Sequence, residues 1–259
     1  MNPLMITATP NICWLDPAVD YPRTSADLVA EAKLCEEAGA QILHMHAENE
    51  WAEWMKAVRE GTGLILQCGM SALQIEDRME VFENGADLIS IIVSHHDEAF
   101  AGQDFHVLHP REELLEYARL SKEHGVKLEF EVWNTGGIWN LNWLRERGVI
   151  EAPYFTSVFF GWPGGAWSPP TVEEYLYRKR HMPEGSVITV SIMDPAQRDV
   201  LAAAIIHGDH IRVGTEDFPY GLDGEMAPTH RLVEEAVELA RALGRPIATV
   251  DEAREICGL

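Results

Sequence analysis

Short apolar, β-branched runs alternate along the chain with longer stretches of helical period. That alternation is the pattern of βα units feeding a parallel sheet. Eight runs read as strands: Leu4–Ala8, Gln41–His46, Gly63–Cys68, Asp87–Val93, Lys127–Trp133, Tyr154–Phe160, Ser186–Met193 and His210–Val213. Helical stretches follow them, beginning near Thr24, Asn49, Leu73, Arg111, Gly137, Thr171, Pro195 and Thr229. Thr171 and Glu174 have capping-box spacing, and Asp194-Pro195 sets an N-cap residue before a proline suited to the first helical position. Gly39, Gly85, Gly125, Gly148, Gly208 and Gly244 fall where helices should end in a left-handed residue. GxGxxG is absent after the first strand, which disfavours a doubly wound dinucleotide fold. The pattern predicts an α/β fold, a (β/α)8 TIM barrel, as a single domain over residues 1–259.

The length of 259 residues agrees with that size of barrel. A formal net charge of −22 argues against a nucleic-acid partner. No apolar stretch approaches the roughly 20 residues of a membrane span. The start, MNPLMITATP, lacks signal-peptide features. Cys13, Cys35, Cys68 and Cys257 form no CxxC pair. A cytoplasmic protein with no membrane partner is the expectation.

Chemistry in such barrels gathers where strand ends and βα loops converge on the C-terminal face. His44-Met45-His46 closes the second strand, and residues two apart on a strand share a face. Two neutral imidazoles suit zinc or a similar first-row metal, although an HxH pair is as often a pair of hydrogen-bonded core histidines. The eighth strand runs into Arg212-Val213-Gly214-Thr215-Glu216-Asp217, whose charges are costly to desolvate unless paired or bound to a cation. The first strand neighbours both in a closed barrel, so Glu216 is positioned as a third ligand beside His44 and His46.

Glu129 and Glu131 share one face of the fifth strand. Glu131, nearer the carboxyl end, is the better candidate for the site, the plain alternative being a buried ion pair with Arg212. His95-His96 after the fourth strand read equally well as substrate contacts or as a wet loop, and Asp194 reads as a helix N-cap. The segment GWPGGAW, with Trp162 and Trp167, suits either a lid or an aromatic anchor. Cys68 reads as a small buried hydrophobe.

HMH at the second strand and GDHIRVGTED at the eighth together resemble the β-keto acid cleavage enzymes, of the 3-keto-5-aminohexanoate cleavage type. The likeness extends through ITATPN, EAGAQILHMHA, KLEFEVWNTG and LGRPIATVDEAREI, nearly the whole chain. It implies a zinc-dependent, homo-oligomeric barrel that moves CoA from acetyl-CoA onto the acyl part of a β-keto acid and releases acetoacetate. By motif, His44, His46 and Glu216 would hold the Zn2+, Asp217 would be the base with Arg212 beside it, and Glu131 would line the same site. Asn11, Gln67, Ser71 and His95 are the candidates to bind substrate.

Departures from the family pattern cluster around the pocket. Ala47-Glu48 stands where HxHVR is common, reversing a charge, and Ile12-Cys13-Trp14 replaces a turn that often carries glycine or an acid. Gln67-Cys68-Gly69-Met70 replaces the small turn that cradles the substrate carboxylate. Trp133-Asn134 follows Glu131 where an acid is usual. The metal ligands and base are retained while the substrate pocket is rebuilt. The alternative is a metal-dependent hydrolase or lyase on the same barrel with a different substrate.

Overall fold

The computed structural model describes residues 2–16, 18–47, 50–100 and 103–259. Glu48 and Asn49, both singled out above, lie outside the described residues. Eight strands close in parallel: β1 (Ile6–Ala8), β2 (Ile42–Met45), β3 (Ile65–Cys68), β4 (Leu88–Ile92), β7 (Lys127–Val132), β8 (Tyr154–Phe160), β9 (Ser186–Ile192) and β10 (His210–Val213). Their order around the barrel is β1-β10-β9-β8-β7-β4-β3-β2, so β1 sits between β2 and β10. The chain is a (β/α)8 TIM barrel. Its strands are short runs buried on both faces, as a sheet wrapped by helices requires.

The alternation of side chains along each strand divides the barrel interior into layers. Met5, Ile42, Ile65, Leu88 and Phe155 make an apolar floor. Helix α9 (Val250–Cys257) closes it from below through Ala253 and Cys257. Two residues further up each strand the interior turns polar: His44, Gln67, Ser90, Glu129, Ser157, Thr189 and Arg212 are all buried. Above these, His46, Glu131 and Phe159 reach the mouth.

The helices are α1 (Ser25–Ala38), α2 (Trp51–Gly61), α3 (Met79–Glu83), α4 (Arg111–His124), α5 (Thr135–Glu146), α6 (Val172–His181), α7 (Gln197–Ile206), α8 (Thr229–Ala242) and α9. The six glycines named above all have positive φ. The stretch expected to be helical from Leu73 is instead a 3-10 turn, Ile75–Arg78, ahead of the five-residue α3. Arg78 lies at their junction, fully buried, and donates to Gly69 O, Ser90 O and Tyr117 Oη. Thr171 caps the Glu174 amide, but the reciprocal half of the box is missing because the Glu174 carboxylate accepts from Arg178 Nε at 2.9 Å. The complete capping box is Thr249 with Glu252, on a helix the periodicity did not single out. Asp194 is not the N-cap of α7, which is Ala196. Asp194 caps the turn before it, accepting from Ala196 N at 2.8 Å.

An antiparallel hairpin, β5 (His96–Phe100) with β6 (Gln103–Val107), interrupts the connection from β4 to α4 and was not anticipated. Among the described residues no helix is long and apolar enough to cross a membrane.

Candidate active site

His44 lies in β2 and His46 directly follows it, and the loop after β10 carries Glu216 over β1 to meet them. That loop is tied down at Thr9: Thr9 N donates to Val213 O and Glu216 N to Thr9 O, while Thr215 Oγ1 donates to Pro10 O at 3.0 Å. The chain passes so close that a side chain at Gly214 would stand 2.4 Å from Thr9 Oγ1, and its φ of 153° favours glycine. Asn11 clamps the partner strand from the same side, with its Nδ2 donating to His46 O and its Oδ1 accepting from His46 N at 2.9 Å.

Three donor atoms converge as a result. His44 Nε2 and His46 Nε2 are 3.0 Å apart, His46 Nε2 is 3.2 Å from Glu216 Oε1, and His44 Nε2 is 3.4 Å from Glu216 Oε2. These spacings match the edge of roughly 3.3 Å in a tetrahedron with ~2.0–2.1 Å metal–ligand bonds. Gly69 leaves the space: a Cβ there would stand 2.7 Å from His44 Nε2 and 2.8 Å from His46 Nε2. Burial first, then the positive charge of Arg212, holds His44 well below its ordinary pKa, so it faces the cluster as a neutral base. Burial would raise the Glu216 carboxyl, but Arg212 and the two imidazoles outweigh it and keep the group ionised. The residues present fit a divalent cation with nitrogen and oxygen ligands.

Arg212 binds Asp217 through Nε (3.1 Å) and Nη2 (2.9 Å) and reaches Glu216 Oε1 at 2.7 Å. Both it and Asp217 are buried. Burial pushes the Asp217 carboxyl up to about 6, Arg212 pulling the other way. Glu131 is not paired with Arg212. Its Oε2 accepts from Ser71 Oγ at 2.9 Å and from Trp133 Nε1 at 3.1 Å. Burial, then Glu129 beneath it, raises Glu131 to about 7.

The cluster opens into a cavity of about 210 Å³ lined by Glu131, Ser71, Arg212, His96 and Glu98 among polar residues. Its apolar wall is mostly aromatic, with Trp14, Phe105, Trp133, Phe159 and Trp162. Trp133 stacks on Phe159 (4.0 Å between centroids), and Trp162 meets both edge-on. Trp162 is thus a wall of the cavity, whereas Trp167 is exposed. Of the residues expected to bind substrate, Ser71 lines the cavity. Gln67 is buried in the polar layer below, opposite His44 in strand register, and Asn11 grips the His46 backbone. His95 is turned outward, its Nδ1 accepting from His109 N, and its neighbour His96 takes the place at the cavity. Cys68 is buried and its thiol pushed up to about 12, as an inert core residue should be. The sequence reading named His96 only together with His95, as a substrate contact or a wet loop, and missed Glu98 and Phe105, whose hairpin shows no run of β-branched residues. Alternation of His96, Glu98 and then Phe105, Val107 was the available signal.

A closed parallel barrel with two histidines, a carboxylate and an arginine-held aspartate at its C-terminal face defines an enzyme. The chain belongs to the beta-keto acid cleavage enzyme family, whose model matches residues 3–259. It is an enzyme of β-keto acid cleavage type. It is 30% identical to a 3-keto-5-aminohexanoate cleavage enzyme of Acetoanaerobium sticklandii, covering 100% of this chain and 99% of the relative. It is 26% identical to a 3-dehydrocarnitine:acetyl-CoA trimethylamine transferase of Rhizobium meliloti over 90% of this chain and 88% of that one. The apo structure of ObcA superposes with a TM-score of 0.78 at 18% identity, covering 92% of this chain, which spans 65% of the ObcA chain.

Proposed function

We propose that the protein transfers CoA from acetyl-CoA to the acyl part of a β-keto acid, releasing acetoacetate, and that Asp217 is its base. The observation that carries the reading is the buried Asp217–Arg212 pair set directly against the His44–His46–Glu216 cluster. A Zn2+ or similar ion held by those three residues would stabilise negative charge on a substrate oxygen. Asp217, held by Arg212 and raised to about 6 by burial, takes the α-proton of the β-keto acid. The resulting carbanion attacks the acetyl-CoA carbonyl and expels the CoA thiolate. The thiolate adds to the original ketone, the bond between that carbon and the α-carbon breaks, and acetoacetate leaves with its electrons, completing an acyl-CoA. Acetoacetate takes the proton back from Asp217. Arg212 balances Asp217 as its charge changes, and the aromatic wall keeps water from the carbanion.

The acetyl-CoA-dependent transfer named for the Rhizobium meliloti relative supports the co-substrate, and the amine-bearing substrates of both relatives support a β-keto acid with a short acyl chain. The unpaired cysteines support a reducing, cytoplasmic setting. A single domain and a homo-oligomer complete the reading.

The test is acetoacetate release from acetyl-CoA and a panel of β-keto acids. The expected result is CoA-dependent release that falls ~10²–10⁴-fold in Asp217→Asn. Release that persists undiminished in that variant, or turnover without CoA, overturns the assignment.

A further inference from the structure

We propose that Arg78 is a positioning residue: through the Gly69 carbonyl it sets the turn at residues 69–71, and so keeps both the space beside His44 and His46 and the grip of Ser71 on Glu131. The proposal deepens the cleavage reading and rests on it for the ion and the substrate.

The turn follows β3 and touches two sides of the site. Gly69 N donates to Met45 O at 2.9 Å, which hangs the turn on β2 between the two histidines. Gly69 then stands so near both Nε2 atoms that not even a methyl group fits there. A drift of about an ångström toward the imidazoles would take the space that a metal and its open coordination position need. Two residues on, Ser71 Oγ donates to Glu131 Oε2 at 2.9 Å. Between them Met70, which lines the cavity, has a φ of 58°, a left-handed conformation uncommon outside glycine. Such backbone persists only where its surroundings over-determine it.

Arg78 supplies that constraint. It is fully buried, and its Nη2 donates to Gly69 O at 3.0 Å and to Ser90 O at 2.6 Å, tying the turn to β4. Its Nη1 donates to Tyr117 Oη at 2.9 Å on α4. Among the described residues no carboxylate pairs with this guanidinium. A buried cation without an acid is expensive, and an apolar side chain would fill the place at lower cost if packing were its only task. What the planar guanidinium adds is a fixed separation of the two carbonyls it holds, which a lysine ammonium does not enforce. Its bonds reach neither Asp217 nor Arg212. Loosening Arg78 should therefore weaken the metal site and substrate binding while proton transfer at Asp217 continues.

The test compares Arg78→Lys, which keeps the charge and loses the planar fork, with Tyr117→Phe, which removes only the bond that does not touch the turn. Zinc dissociation constants come from competition with a chelator on substrate-free protein, and urea midpoints are read beside them. KM and kcat are read at saturating zinc with the best β-keto acid of the panel. In Arg78→Lys the zinc dissociation constant is expected to rise roughly tenfold or more. KM is expected to rise about tenfold while kcat stays within about threefold. Tyr117→Phe is expected to lower the urea midpoint while its zinc dissociation constant and KM stay within about twofold of the wild type. Unchanged zinc affinity in Arg78→Lys, a fall in kcat with KM unchanged, or equal losses in both variants overturns the proposal. If Arg78→Lys does not fold, Arg78→Gln takes its place. That change removes a cation near the ion, which by charge alone would tighten zinc binding. Weaker zinc binding in it supports the assignment, and unchanged or tighter binding overturns it. Wild-type protein that retains no zinc after loading overturns the metal reading and this proposal together. The expected zinc pattern without acetoacetate release from the wild type overturns the cleavage reading alone.

Discussion

The mouth of the barrel is made of two halves built by different means. One half, His44, His46, Glu216, Arg212 and Asp217, stands on β2, β10 and a loop pinned to β1, each side chain fixed by backbone bonds or by a neighbouring charge. The other half, His96, Glu98, Phe105 and Trp162, stands on a hairpin and a loop that hold each other. Groups that must hold charge to within a fraction of an ångström sit on the rigid frame. Groups that only line the rest of the cavity sit on insertions that can change without disturbing the barrel.

This division is broken or sharpened first by substituting one member of each half. His46→Ala removes one of the three groups proposed to hold the metal, so zinc retained after loading and dialysis, and acetoacetate release, should both fall by more than the roughly 10–100-fold that follows from disturbing a ligand's support. Trp162→Ala empties a position packed against Trp133, Phe159 and Met193. It should cost about 3 kcal/mol of stability and raise KM while leaving metal content unchanged. Metal analysis with urea unfolding checks both. Loss of zinc in Trp162→Ala would show that the two halves are one unit.

The same division explains what the sequence made legible. Barrel strands are buried on both faces and bounded by glycines with positive φ, so Tyr154–Phe160 and His210–Val213 were read to the residue. His44, His46 and Glu216 follow from strand parity and from the closure that places β1 between β2 and β10. The hairpin escaped because His96–Val107 has neither a continuous apolar run nor a strong two-residue turn, and its pairing is stabilised by the distant Pro163–Ala166 segment. His95 was favoured over His96 because periodicity gives no phase for a strand that has not been recognised. Gln67 was placed in the pocket because it lies near the carboxyl end of the right strand, yet the alternation that puts Ile65 on the floor sets Gln67 only one layer up.

A smaller effect tests how the frame supports the ligands. The Asn11 side chain bonds the His46 backbone twice, donating to its O and accepting from its N. Asn11→Ala should weaken zinc affinity roughly tenfold, measured by competition with a chelator, while kcat at saturating zinc stays unchanged. A fall in kcat with zinc saturated would move Asn11 from a positioning role to the substrate.

The subtlest test lies two residues below Arg212, on the same face of β10. His210 is buried, its Nδ1 accepts from Met5 N at 3.0 Å, and burial, then Arg245 and Lys179, lowers its pKa from 6.5 to about 3. The folded state therefore refuses a proton that the unfolded chain accepts below pH 6.5. Stability from this group is complete above pH 6.5 and is lost as pH falls towards 3, at about 1.4 kcal/mol per unit. Between pH 7 and pH 5 the wild type should lose about 2 kcal/mol more than His210→Gln, whose amide oxygen can take the Met5 N–H without titrating. Urea midpoints of the two proteins at both pH values give the difference. Parallel losses would mean that acid unfolding starts elsewhere, with the carboxylates of the barrel mouth, and that the floor under Arg212 is indifferent to His210.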